Sequence, residues 1–274
     1  MHRSPKSRRA RGSLVLLVPA ALLLAFLFVP LLGLVLGTTM DDVRRALDSE
    51  LLGPAIGLSL ITTLVSLVVI VLLGTPLAWL LARGSGRTVR AVETLVELPV
   101  VVPPAVVGVA LLLAFGRQGP FSRWLLPAGG SLALTTTAVV LAQIFVAAPF
   151  YVLSARSALR EVDDELVLVA RSFGASPIAV FFRVGLPLAR PGLLAGALLA
   201  WARALGEFGA TLMFAGNLSG RTQTLPLAIY AALESDLGTA RVLSALLVGL
   251  AFALLLGMRS WLGGGSRLLG GARA

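Results

Sequence analysis

Ala170-Arg-Ser-Phe-Gly-Ala-Ser-Pro-Ile-Ala-Val-Phe-Phe-Arg-Val-Gly-Leu-Pro187 reads as a soluble-facing element inside a chain otherwise built of apolar runs. A helix stop is followed at once by a helix start. Gly174 suits the left-handed position just past a helix end. Ser176 is a good N-cap, and Pro177 a good first helical residue. Upstream, Leu159, Val162, Leu166, Val169, Ala170 and Phe173 recur at three and four residues, the spacing of one apolar helix face. Arg156, Arg160, Glu161, Asp163, Asp164 and Glu165 fall mostly off it. Downstream, Ile178, Phe181, Phe182 and Gly185 share a second face, with Arg183 opposite. The pattern predicts a helix-turn-helix at a membrane surface, offering a short helix over 177–186 to a partner.

The rest of the chain supplies the membrane. With 57% hydrophobic and 13% charged residues, 274 residues are too apolar for an ordinary soluble domain. Mean hydropathy is +0.94. There is no cysteine, which excludes a thiol nucleophile, a disulfide and a thiolate metal site. The one histidine, His2, sits in a basic tail, so histidine catalysis and histidine metal sites are excluded with it. No carboxylate cluster lies within the apolar runs, which argues against an enzyme embedded in the membrane.

Six spans can be drawn, roughly 14–37, 55–82, 95–115, 132–154, 191–215 and 239–259, each long enough to cross a bilayer. The first is too long for a cleaved signal core and is followed by further spans. A net charge of +10 suggests nucleic acid at first sight, but topology accounts for it better. With the N-terminus inside, sixteen of the 23 cations fall on inner segments and six on outer ones, leaving Arg203 in the membrane. Both termini and the Gly174 turn are then cytoplasmic. The expected layout is a basic tail over 1–13, a transmembrane domain over 14–259, and a flexible Gly-rich tail over 260–274. Trp124, in an outer loop, is expected to anchor at the interface.

Two spans carry unusual residues. The third opens Glu97-Leu-Pro-Val-Val-Val-Pro-Pro104, and Pro99, Pro103 and Pro104 each remove a backbone donor. In lipid the freed carbonyls need protein or water, so this span faces the bundle interior or begins with irregular helix. The fifth reads Trp201-Ala-Arg203-Ala-Leu-Gly206-Glu207-Phe-Gly209-Ala-Thr211. Charges within a span are costly. Arg203 and Glu207 are four apart, so they share a helix face and can pair. Gly206 and Gly209 permit close helix approach. The pair is either a structural tie or part of a permeation path, together with Pro103, Pro104, Gly206 and Thr211.

The opening stretch resembles the cytoplasmic signature loop of ABC-importer permeases of the type I fold: Glu-Ala-Ala, three residues, Gly, then a spacer ending in Leu-Pro. Gly174 and Leu186-Pro187 stand at that spacing, while the Glu-Ala-Ala is reduced to Leu168-Val169-Ala170. Arg203 to Thr211, Ala215-Gly-Asn217 and Thr222-Gln-Thr-Leu-Pro-Leu-Ala-Ile-Tyr230 look like the molybdate and tungstate branch. Sulfate and thiosulfate permeases are similar in the Arg-x-x-Gly-Glu-aromatic-Gly core but usually carry Tyr after the Glu. The resemblance implies an all-α polytopic protein of the cell membrane, working as a homodimer. It implies two ABC ATPase subunits on the cytoplasmic side and an extracytoplasmic oxyanion-binding protein. Contact with the ATPase would fall to Ala170, Gly174, Ala175, Ser176, Pro177, Phe181, Phe182, Arg183, Leu186 and Pro187. ATP and magnesium would sit on the partner: a P-loop needs a lysine, and the only lysine here is Lys6, in the tail. A rival reading, an ion-coupled secondary transporter, would use Arg203 and Glu207 but give the Gly174 turn no role.

Overall fold

The computed structural model describes residues 6–125 and 130–269; the remainder of both tails lies outside them, as do the side chain of Trp124 and those of the helix ends 6–15 and 258–269. Among the described residues the regular structure is all helix, with no strand. The helices are α1 (Lys6–Leu36), α2 (Met40–Asp48), α3 (Leu52–Arg83), α4 (Arg87–Val101), α5 (Pro104–Phe115), α6 (Pro120–Leu125) and α7 (Thr136–Arg160). They continue with α8 (Asp164–Ser172), α9 (Pro177–Val180), a π-helical segment (Phe181–Gly185), α10 (Leu186–Leu205), α11 (Gly209–Ala215), α12 (Leu225–Ser235) and α13 (Leu237–Leu269). Among the described residues five helices are long and apolar enough to cross a membrane, and the bent pair α4–α5 makes up to six.

The centre of the bundle is α7, which packs against α3 on one side and α10 on the other. The helices can approach because small residues face each other. A Cβ on Gly192 would stand 2.3 Å from Ala158, one on Gly196 2.9 Å from Ser154, and one on Gly74 2.8 Å from the Tyr151 ring. The large apolar residues of α3, such as Ile61, Val68, Leu72 and Leu73, point outward instead. Lipid is as apolar as leucine, so small and polar residues gain most from facing protein.

The inward stripe of α3 is built of hydroxyls. Thr62, Thr63 and Ser66 each donate to the carbonyl four residues back, at 2.8, 2.6 and 2.8 Å. Their oxygens then serve the neighbours. Gln143 Nε2 of α7 donates to Thr62 at 3.2 Å and Trp201 Nε1 of α10 to Thr63 at 3.0 Å, while the Leu225 N–H opening α12 donates to Ser59 on the same face at 2.6 Å. One face of one helix thus ties three others.

At the end of the bundle away from Gly174, α2 is stapled to α13. Asp42 closes a capping box with Thr39 and is buried among cations. Arg45 NH2 reaches its Oδ1 at 2.5 Å and Arg241 NH1 its Oδ2 at 3.2 Å. Asp236 caps α13 through the Thr239 hydroxyl at 2.6 Å and also faces Arg45 at 3.4 Å. The Thr39 backbone N–H holds the Asp42 carboxyl below the ordinary aspartate range, against the opposing effect of desolvation. The Thr239 hydroxyl does the same for Asp236.

Three expectations are corrected. The third span is not one rod: α4 and α5 meet at a 113° bend at Val102–Pro103. Consecutive prolines at 103 and 104 withhold two N–H donors and force the preceding residue out of the helical region. The fifth span is also interrupted, with α10 ending at Leu205 and α11 starting at Gly209. At the far end, α13 continues as helix through Gly263–Gly265 to Leu269, where a flexible tail was expected from 260.

Candidate functional site

Two places gather the unusual residues. The first is the Gly174 turn. After α7 the chain breaks over 161–163, and the Asp163 side chain accepts the Glu165 N–H at 2.9 Å to start α8. The helix closes with the Gly174 N–H on the Arg171 carbonyl at 2.9 Å and Ala175 N–H on the Ala170 carbonyl at 3.1 Å. Gly174 has φ +82, the left-handed conformation expected of it. Ser176 accepts the Ala179 N–H at 3.2 Å, and Pro177 takes the first helical position.

The turn presents an apolar surface. Phe173 is 88% exposed, Ile178 70%, Leu168 62% and Phe182 59%. A groove of about 620 Å³ runs between α8 and the helix that follows, lined by Ala170, Phe173, Gly174, Ala175, Ser176 and Arg183 among others. Phe181, Phe182, Leu186 and Pro187 line a different cleft, about 690 Å³, together with Thr75, Tyr151 and Arg190. Nine of the ten predicted contact residues therefore divide between two surfaces, and Pro177 lines neither.

Two further corrections belong here. The upstream apolar stripe is split by the break at 161–163: Leu159 and Val162 are buried in the bundle, whereas Leu166, Val169 and Phe173 are exposed. The short helix over 177–186 is not separate. It is the first part of a 29-residue rod, Pro177–Leu205, carrying the π-helical segment. Pro187 cannot donate to the Arg183 carbonyl, and the wider π turn falls at that point.

The second place is where the two broken spans meet. A Cβ on Gly209 would lie 3.1 Å from Pro104 Cβ and 3.2 Å from the Ala105 nitrogen. One on Gly108 would lie 2.6 Å from the Ala210 carbonyl oxygen and 2.6 Å from Met213 Cβ. So α5 and α11 cross in contact, just beyond both interruptions. Arg203 and Glu207 do pair, at 2.9 Å, but across the C-terminus of α10 rather than on one helical face. Glu207 is 1% exposed, and its other oxygen accepts the Ala210 N–H at 2.7 Å. It caps α11 while tying it to α10. Thr211 is fully buried, and its Oγ1 has no hydrogen-bond partner. Pro103, Pro104 and Gly206 are exposed, and Arg203 is half-buried.

Sequence reasoning missed two groups. Arg83, one of the sixteen inner-segment cations, joins α3 to both the α7–α8 break and Asp164. Glu93 of α4 pairs with Arg156 and Arg160 of α7. The available signal was an acid and two bases at the same ends of successive apolar runs.

Residues 74–261 match the family described as binding-protein-dependent transport system inner membrane component. The chain is 44% identical to the molybdenum transport system permease protein ModB of Mycobacterium tuberculosis, over 88% of this chain and 91% of that one. To the Escherichia coli K12 protein of the same description it is 37% identical, over 65% and 78%. Among solved structures, a bacterial ABC transporter importing alginate aligns with TM-score 0.77 at 17% identity, covering 93% of this chain and 96% of that one. The inward-facing MetNI methionine transporter aligns with TM-score 0.60 at 23% identity, covering 78% and 95%. At those identities the structures speak for the fold alone.

Proposed function

This chain belongs to the family of binding-protein-dependent transport system inner membrane components, and from that premise we propose that it is the membrane permease of an ATP-driven importer that moves molybdate, or tungstate, inward. The observation that carries the class is the Gly174 turn. A left-handed glycine between two capped helices holds an apolar surface outside the bundle, in the absence of any lysine able to make a P-loop. The permease needs an engine, and this surface is where a separate ATPase docks. The substrate reading is supported by the relatives described as molybdenum permeases, 44% identical over most of the chain.

On this reading the Gly174 turn and both termini are cytoplasmic, as the distribution of cations argues. Two permease chains and two ATPases form the unit, and an outer binding protein delivers the oxyanion. ATP binding draws the ATPases together and the bundles move with the loops they hold. The rigid part is α3–α7–α10, joined by small residues and hydroxyls. The span bends at Pro103 and the helix is interrupted at Gly206, so α5 and α11 are the pair that opens and closes. Arg203 is neutralised by Glu207, which leaves the crossing a gate rather than an anion trap.

The test is reconstitution. In liposomes holding the permease and its ATPase, molybdate-loaded or tungstate-loaded binding protein is expected to stimulate ATP hydrolysis. Stimulation confined to the sulfate-loaded form would overturn the substrate assignment. ATP-independent uptake would overturn the class.

A further inference from the structure

Both ends of the Gly174 loop are held by one short stretch of α3. Arg83 is the last residue of that helix, with its side chain only 20% exposed. Its NH2 donates to the Val162 carbonyl at 2.9 Å and the Leu159 carbonyl at 3.3 Å, where α7 gives way to the break before α8. Its NH1 pairs with Asp164, the first residue of α8. One turn back, the Trp79 ring lies under the same guanidinium, 4.9 Å from its Cζ. Trp79 also meets the exit of the loop. Phe181 sets its ring against it at 5.5 Å, and a Cβ on Gly185 would fall 2.5 Å from it. Entry and exit of the loop thus rest on two residues of α3 one turn apart.

The contacts are unequal. Asp164 is 83% exposed, and an ion pair there holds little. The carbonyls at the end of α7 lack partners within their own helix, so a donor matters more to them. A planar guanidinium can serve two carbonyls, a carboxylate and an aromatic face together, which an ammonium cannot.

Resting on the permease reading above, we propose that Arg83, seated on Trp79, is the positioning residue that makes the Gly174 loop and α3 move as one body. Force delivered to the loop by the ATPase then reaches the bundle through α3, whose Ser59–Ser66 hydroxyls engage α7, α10 and α12. Without that clamp the loop flexes at 161–163 and α3 stays behind.

The chain has no cysteine, so spin labels can be placed at Glu165→Cys on α8 and Leu80→Cys on α3, both exposed, in the complex with its ATPase. In the otherwise intact chain the label distance is expected to be the same with and without ATP. With Arg83→Gln it shifts or broadens on ATP binding. Oxyanion imported per ATP hydrolysed falls about tenfold, within the usual range of coupling between sites, while the ATPase still copurifies. Arg83→Lys, which restores charge without the fork, recovers only a minor part of that ratio. A label distance in the otherwise intact complex that changes with ATP overturns the inference, and so does an Arg83→Gln complex with an unchanged ratio. If Arg83→Gln does not assemble, the Arg83-retaining label pair decides alone. Failure of the permease reading is separately visible, as ATP hydrolysis indifferent to every loaded binding protein.

Discussion

At Gly174 the constraint is the backbone and not the space around it. A Cβ there would meet nothing within 4 Å, yet φ is +82. A β-branched side chain in that conformation costs about 1–2 kcal/mol. Gly174→Val is therefore expected to leave insertion intact and to weaken binding of the ATPase about tenfold, read by copurification or titration. Gly174→Asn, which tolerates the left-handed region, loses much less. Glu207 is constrained from the other direction. On a continuous helix, exchanging Arg203 and Glu207 would preserve their pair. Here Glu207 also accepts the Ala210 N–H from a site 1% exposed, and arginine cannot accept. Glu207→Gln, which keeps an acceptor, is expected to melt above the exchanged protein. Glu207→Ala is expected to lose about 1–3 kcal/mol, since it leaves the buried Ala210 N–H without an acceptor and the half-buried Arg203 without its acid. Equal melting of the exchanged and unchanged proteins would return the pair to a simple shared face.

The two broken spans act as elements only because they touch. The glycines at their crossing are unequal. A Cβ on Gly108 runs into the backbone of Ala210 at 2.6 and 2.9 Å, which cannot move aside alone. Gly108→Ala is expected to push α11 off α5, destabilising by about 1–3 kcal/mol and abolishing uptake. Gly209→Ala meets Pro104 at 3.1 Å and needs a shift of a few tenths of an ångström. It is expected to retain most uptake, and detergent melts together with uptake assays separate the two. At the opposite end, the staple between α2 and α13 is acid-labile. The Asp42 and Asp236 carboxyls are both held below 3.8, so their stabilisation is complete above that value and lost as pH falls through the lower, folded one. Melting is expected to be flat from neutral pH down to about pH 5 and to fall below about pH 4, with Asp42→Asn removing part of the fall. Apolar runs and the capped turn at Gly174 were legible in the sequence, since length, hydropathy and capping chemistry are local. The breaks at 102–103 and 206–208 were legible only as prolines and glycines. Whether such residues bend a span or pack within it depends on what crosses them. The clamp at Arg83 was hidden, because a cation at the end of a span has a topogenic explanation that needs no partner.

For the whole molecule the decisive property is orientation. Helices alone do not say which end of a bundle faces the cytoplasm. The proposed orientation rests on the distribution of cations, sixteen expected on one side against six on the other. The fold adds its own asymmetry. One end is closed by the ion staple of Asp42, Arg45, Asp236 and Arg241, and the other offers exposed Phe173, Ile178 and Phe182 on a clamped turn. An exposed apolar surface of that kind marks an interaction site. A chain without cysteine makes the assignment measurable. Single cysteines at Glu165, beside the turn, and at Asp41, on α2, are both exposed. In sealed right-side-out vesicles an impermeant maleimide is expected to label Asp41→Cys and spare Glu165→Cys until the membrane is opened. Adding the ATPase to opened vesicles should then protect Glu165→Cys and leave Asp41→Cys reactive. Labelling of Glu165→Cys from outside would place the turn on the side without ATP, and neither the docking role nor the drive it implies could stand.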